Sequence, residues 1–186
     1  AEPYADSIRT DAMGNLIVFK KGRRAAGDRL LLSAHMDEVG LMITRVEDDG
    51  TLRFDSVGGI DRRVLMGKRV YVGPHRIPAV IGSKPIHLTT KEERRSVPKM
   101  TELYLDMGAE NREAAEKLVE PGDVAVFDPE CVEFGSGLLK AKAIDDRVGC
   151  AVMLELLKEE LPMDCTFAFS TQEEVGTRGA FAYAFS

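Results

Sequence analysis

The long middle of the chain, residues 41–135, is written in short β-favouring runs, and this interruption constrains the fold more than any other feature. The runs are Leu41–Val46, Thr51–Phe54, Arg69–Val72, Ile77–Ile81, Leu103–Leu105 and Val124–Phe127, separated by Gly, Pro and Asp clusters. Closely spaced short strands with turn signals between them predict a small barrel or sandwich. A helix is predicted over Ala109–Val119, ending at Pro121-Gly122, and the polar, aperiodic stretch Ile86–Met100 reads as a mobile loop. On either side the pattern changes to α/β. Asn15–Lys20 and Leu30–Ala34, separated by a turn over Lys21–Asp28, predict neighbouring strands. Beyond Gly137 a helix is predicted over Ile144–Leu161, closed by Pro162, followed by a buried strand at Cys165–Ser170. The predicted class is therefore α/β, a mixed sheet flanked by helices. Residues 1–40 and 136–186 make one discontinuous domain, and a β-barrel-like domain over 41–135 is inserted into it.

Composition removes several classes of function. Lys and Arg number 25 against 31 Asp and Glu, a net charge of −6, and no basic stripe with interleaved aromatics is present. No nucleic-acid partner is expected from that balance. The apolar runs fall far short of the roughly 20 residues that cross a bilayer, and AEPYADSIRT at the start lacks an export signal, so no membrane association and a cytoplasmic location are expected. Cys131, Cys150 and Cys165 are odd in number with no C-x-x-C spacing, and are expected to be buried small apolar residues. The last residues, 179–186, read as the opening turns of an apolar helix without a cap, so the chain is expected to be a piece of something longer.

The chemistry-bearing residues sit where the α/β segments end. Leu30–Ala34 leads directly into His35-Met36-Asp37-Glu38. Strand residues two apart face the same way, so His35 and Asp37 project together. A carboxylate beside a metal-bound imidazole orients the ring and raises its basicity, although such a pair alone is more often a structural hydrogen bond. Asp145-Asp146 opens the predicted helix, where the helix dipole by itself accounts for carboxylates. A carboxylate there also has two oxygens with which to bridge two cations about 3.5–4 Å apart. Gln172-Glu173-Glu174 leaves the strand Cys165–Ser170 directly. Adjacent side chains diverge as the backbone leaves a strand, so one glutamate can bind metal while the other holds the attacking water as general base.

Through nearly its whole length the chain resembles the tetrahedral aminopeptidases, co-catalytic metallopeptidases once described as cellulases that include glutamyl and deblocking aminopeptidases. The matching segments are DAMGNLIVFKKG at 11–22, LLLSAHMDEVGLMIT at 30–44, GGIDRRVLMGKRV at 58–70, AKAIDDRVGCAV at 141–152 and STQEEVGTRGA at 170–180. The resemblance implies two divalent metal ions, zinc or cobalt, with His35 and Glu174 as ligands and Asp145 as the bridging carboxylate. It implies Glu173 as general base toward the attacking water and Asp37 as the residue that orients His35. Asp146 is implied to be structural, and in related co-catalytic enzymes the peptide bond after the bridging aspartate can be cis. The substrates implied are peptides, cut at their N-terminal residue. The inserted domain is implied to mediate subunit contacts in a homo-oligomer, dimers assembling into a dodecamer.

One departure follows from counting. His35, Glu174 and a doubly bound Asp145 make four protein-to-metal bonds, whereas two roughly four-coordinate zinc ions sharing one water need about six. His75 and His87 lie in the inserted part and are not expected to ligate. By this count the chain holds an incomplete site and by itself is inactive. The alternatives are a metal-dependent deacylase on the same scaffold and a non-catalytic assembly module. A glycosidase is disfavoured, because sugar platforms rely on aromatic faces and the chain has no Trp.

Overall fold

Ahead of residue 40 the chain builds three strands, the exposed β1 (Ser7–Thr10) and two from apolar runs, β2 (Leu16–Lys20) and β3 (Leu30–His35). The computed structural model describes residues 1–24 and 30–184, so residues 25–28 of the predicted turn, with Arg29, and the last two residues of the predicted terminal helix lie outside the described residues. Six strands then close on themselves as a barrel: β4 (Gly40–Val46), β5 (Leu52–Val57), β6 (Arg69–Val72), β7 (Ile77–Ser83), β8 (Leu103–Asp106) and β9 (Val124–Phe127). Between β8 and β9 lies the short helix α1 (Arg112–Glu116), whose N-cap Asn111 accepts the Ala114 N–H at 2.9 Å. A hairpin of β10 (Val132–Phe134) and β11 (Leu138–Lys140) follows. The chain then forms α2 (Ile144–Leu156), β12 (Cys165–Ser170) and α3 (Arg178–Ala184).

These elements form two units, Ala1–Glu38 with Ala143–Ser186, and Val39–Lys142. In the barrel unit strand residues alternate inward, apart from a register shift between Ile43 and Arg45 in β4, and Leu41, Ile43, Leu52, Val70, Val72, Ile81 and Leu105 are almost wholly buried. Closure leaves the barrel without a free edge.

The other unit is a mixed sheet in the order β1-β2-β12-β3, with β12 antiparallel to β2 and parallel to β3. The expectation that β2 and β3 are neighbours is corrected here, since β12 lies between them. The reason is visible in β12 itself: Phe167 and Ala168 are both 0% exposed, and a strand buried on both faces belongs inside a sheet. One face packs against α2, and Cys150, Met153 and the C-cap residue Leu157 join, at helical spacing, a core with Val18, Ala34, Phe167 and Phe169.

Other boundaries moved for local reasons. The helix predicted to reach Leu161 stops at Leu156, and after the Leu157 cap the N–H groups of Lys158 and Glu159 bond three residues back, a tightened exit ahead of Pro162. The helix predicted over Ala109–Val119 shrinks to Arg112–Glu116. The hairpin stretch after Gly135, which the sequence assigns to the α/β part, groups with the barrel unit. Cys150 and Cys165 are buried as expected, whereas Cys131 is exposed. Among the described residues no helix is long and apolar enough to cross a membrane.

Candidate metal centre

β3 and β12 stay in register to their last residues, His35 opposite Ser170. Both chains therefore leave the sheet at the same edge, the carboxyl end of parallel strands where α/β proteins gather their ligand-binding groups. His35 is 8% exposed, and the Cys150 thiol from α2 donates to its carbonyl at 3.3 Å. The imidazole Nδ1–H donates to the main-chain carbonyl of Asp37 at 3.1 Å. That bond sets the neutral tautomer and leaves the Nε2 lone pair for a cation or a proton.

Carboxylates surround Nε2. Asp145 Oδ1 lies at 3.2 Å and Glu173 Oε2 at 3.8 Å. Ligand atoms of His35, Glu173 and Glu174 all lie within 4.8 Å of one another. Burial, the largest influence, pulls the imidazole pKa down. It is outweighed by the Asp37 carbonyl, Asp145 and the charges of Asp37 and Glu173, which hold the ring above its usual range. Burial also pushes the Glu174 carboxyl above the usual carboxylate range, against the pull of His35 and with the repulsion of Glu173, Asp37 and Asp145. A neutral imidazole nitrogen among several carboxylate oxygens is a donor set that suits zinc or cobalt, and a cation would replace the proton that these carboxylates now favour on Nε2.

Each candidate reaches this place by a distinct device. Asp145 lies ahead of the regular part of α2, with φ −82° and ψ 111°, and its peptide bond to Asp146 is cis, as the resemblance allowed. Its carboxylate is 92% exposed. Asp146 instead turns back to accept the Gly149 N–H at 3.1 Å. Glu173 and Glu174 ride a tight loop in which Gln172 and Thr177 adopt positive φ, 56° and 54°. A β-branched residue rarely does so. The conformation is held by the N–H groups of Gly176 and Thr177, which both donate to the Glu173 carbonyl, at 2.9 and 2.8 Å.

Asp37 differs from expectation in how it works. Its carboxylate stands 3.6 Å from Nδ1 of His35, which instead bonds the Asp37 carbonyl. The two carboxylate oxygens accept the main-chain N–H groups of Glu173 and Glu174, each at 3.1 Å. The residue that sequence reasoning passed over is Asn15, the one polar side chain at 0% exposure among the described residues. Its signal was present as the Gly14-Asn15 pair at the mouth of an apolar strand.

Residues 14–186 match the family model described as M42 glutamyl aminopeptidase. The glutamyl aminopeptidase of Lactococcus lactis is 34% identical over 180 residues, covering 91% of this chain and 51% of that protein. Two solved structures share the fold. An aminopeptidase of the archaeon Desulfurococcus kamchatkensis is 39% identical with a TM-score of 0.88, over 99% of this chain and 51% of its own. The TET1 peptidase of Pyrococcus horikoshii, described as able to assemble into a tetrahedron or a large octahedral shell, is 40% identical with a TM-score of 0.80, over 98% of this chain and 56% of its own. The chain thus spans about half the length of the relatives it matches. With its mixed sheet, inserted barrel and carboxylate-ringed histidine, the chain belongs to the M42 glutamyl aminopeptidase family.

Proposed function

We propose that this chain carries the water-activating part of a metal-dependent aminopeptidase that removes N-terminal residues from peptides. The observation that carries the reading is the convergence of His35, Glu173 and Glu174 within 4.8 Å, with Asp145 at 3.2 Å from the same imidazole. His35 and Glu174 would each hold one of two divalent ions, and Asp145 would hold both. Such ions, when bound, supply Lewis acidity, which lowers the pKa of water and polarises the peptide carbonyl. Glu173, next to Glu174 and 38% exposed at its side chain, takes the proton of the attacking water and passes it to the leaving amine. Asp37 keeps both glutamates in place through their backbone. In this reading an aspartate and a histidine from outside these 186 residues complete the ligand set.

We further propose that the protein self-associates through its barrel unit, dimers building a twelve-subunit shell. The likeness to the shell-forming TET1 peptidase supports this.

The test is zinc and cobalt titration by calorimetry, with turnover of aminoacyl-anilides, on this chain and on a longer protein that carries it. Tight binding and turnover by the longer protein, with weak binding by the chain, are expected. Absence of metal binding by both would make the carboxylates structural. Cleavage of N-acylated but not free amino-terminal substrates would replace the aminopeptidase by a deacylase.

A further inference from the structure

Asn15 is wholly buried and uses its entire amide. Nδ2 donates to Asp11 Oδ2 at 2.7 Å and to the Gly179 carbonyl at 2.9 Å. Oδ1 accepts the Thr171 N–H at 2.9 Å, and the Thr171 hydroxyl, which donates to the Met13 carbonyl at 2.8 Å, lies 3.2 Å from the same oxygen. Thr171 and Gly179 are the two ends of the loop that carries Glu173 and Glu174, and they also bond each other, the Gly179 N–H donating to the Thr171 carbonyl at 3.1 Å. One side chain therefore clasps both feet of the glutamate loop. Asp11 holds the clasp in turn, since its Oδ1 accepts the N–H groups of Met13 and Asn15.

We infer that Asn15 is a positioning residue that sets the glutamates' place relative to His35, an inference that rests on reading Glu173 and Glu174 as the working residues. No other side chain of this size offers two donors on one side and an acceptor on the other. Aspartate has nearly the same shape but no donor, so Asn15→Asp sets a carboxylate against both Asp11 Oδ2 and the Gly179 carbonyl. Asp11→Asn alone sets amide donors against each other. Together the two changes invert the pair and restore its hydrogen bond while leaving the Gly179 carbonyl unpaired.

The experiment uses the longer protein that carries this chain, as wild type and as the variants Asn15→Asp, Asp11→Asn and the double variant. Hydrogen exchange reads the Thr177 and Gly179 amides, with barrel amides such as those of Val70 and Leu105 as the control for folding. Cobalt absorption in the visible range reads the metal centre. Each single variant is expected to speed exchange of the loop amides by about tenfold or more. Each also weakens cobalt binding by about 10–100-fold and shifts its bands. The double variant recovers part of both. Should Asn15→Asp unfold the sheet unit, Asp11→Asn carries the same readout by opposing the Asn15 amide from its partner's side. Loop amides protected as in wild type, or a double variant no better than its parents, overturn the inference. A wild-type longer protein that binds no cobalt overturns the metal reading instead, and the exchange pattern still decides the clasp.

Discussion

The Asp37 carboxylate accepts the main-chain N–H of Glu174 at 3.1 Å, and its second oxygen does the same for the preceding residue, Glu173. Two charged acceptors on adjacent amides cannot be copied by an amide side chain. Asp37→Asn leaves one N–H facing a donor, at a cost of about 1.5–3 kcal/mol for the lost charge-assisted bond. The expected outcome is a 10–100-fold loss of metal affinity or turnover with the barrel intact. Calorimetric zinc titration with circular dichroism as the folding control checks it.

Gly179 has no room for a side chain. A Cβ there would lie 2.1 Å from the Thr171 carbonyl oxygen and 2.4 Å from Asn15 Oδ1. Neither can retreat, since one is backbone and the other is bonded to the same threonine. Gly179→Ala is therefore expected to destabilise the sheet unit by about 1–3 kcal/mol through overpacking. Denaturant melts with a probe in that unit measure it. Gly108→Ala, with nothing within 4 Å but a positive φ of 79°, is the control for backbone strain alone.

Glu47 accepts from Arg53 Nε at 2.7 Å and Arg45 Nη2 at 2.6 Å, and the two guanidinium groups, Arg53 first, hold its carboxyl below the ordinary value of 4.5. A depressed carboxylate pKa stabilises the fold above the unfolded value and loses that contribution as pH falls through the folded one. The bridge is partly exposed and contributes about 1 kcal/mol or less. Wild type is thus expected to melt above Glu47→Gln at pH 7, and the two to converge as pH falls below 4.5. Thermal melts across that window check the sign.

Residues 39–142 enclose their own core around Leu41, Leu52, Leu65 and Leu105, all 0% exposed. A closed barrel with that much buried apolar surface is expected to fold when expressed alone. A dispersed amide spectrum with a cooperative melt is the predicted result. The same segment with Leu105→Ala should lose about 2–5 kcal/mol.

Phe167 is the largest side chain at 0% exposure in the sheet unit and packs where α2 covers β12. Phe167→Ala is expected to cost about 3–5 kcal/mol by cavity formation. Urea denaturation of the full chain, followed in the sheet unit, measures the loss.

The inserted barrel, the α/β frame on either side and the metal-ligand candidates were legible in the chain because each is local. Val70 and Val72 alternate inward within one run, and His35, Asp145 and Glu173 each follow or precede an apolar segment that ends there. Strand order was not local. Only pairing shows that Cys165–Ser170, far along the chain, inserts between Leu16–Lys20 and Leu30–His35. The roles of Asp37 and Asn15 were hidden for the same reason. Their partners lie well over a hundred residues away, separations of 137 for Glu174 and 156 for Thr171. A hydrogen bond between distant segments leaves no periodicity behind. By itself the sequence determined the candidate site residues and which segments bury their faces, since composition and spacing act over a few neighbours. Tertiary structure alone decided which groups face His35 and what holds them there, because burial of Phe167 and closure of the β3–β12 pairing bring those segments together.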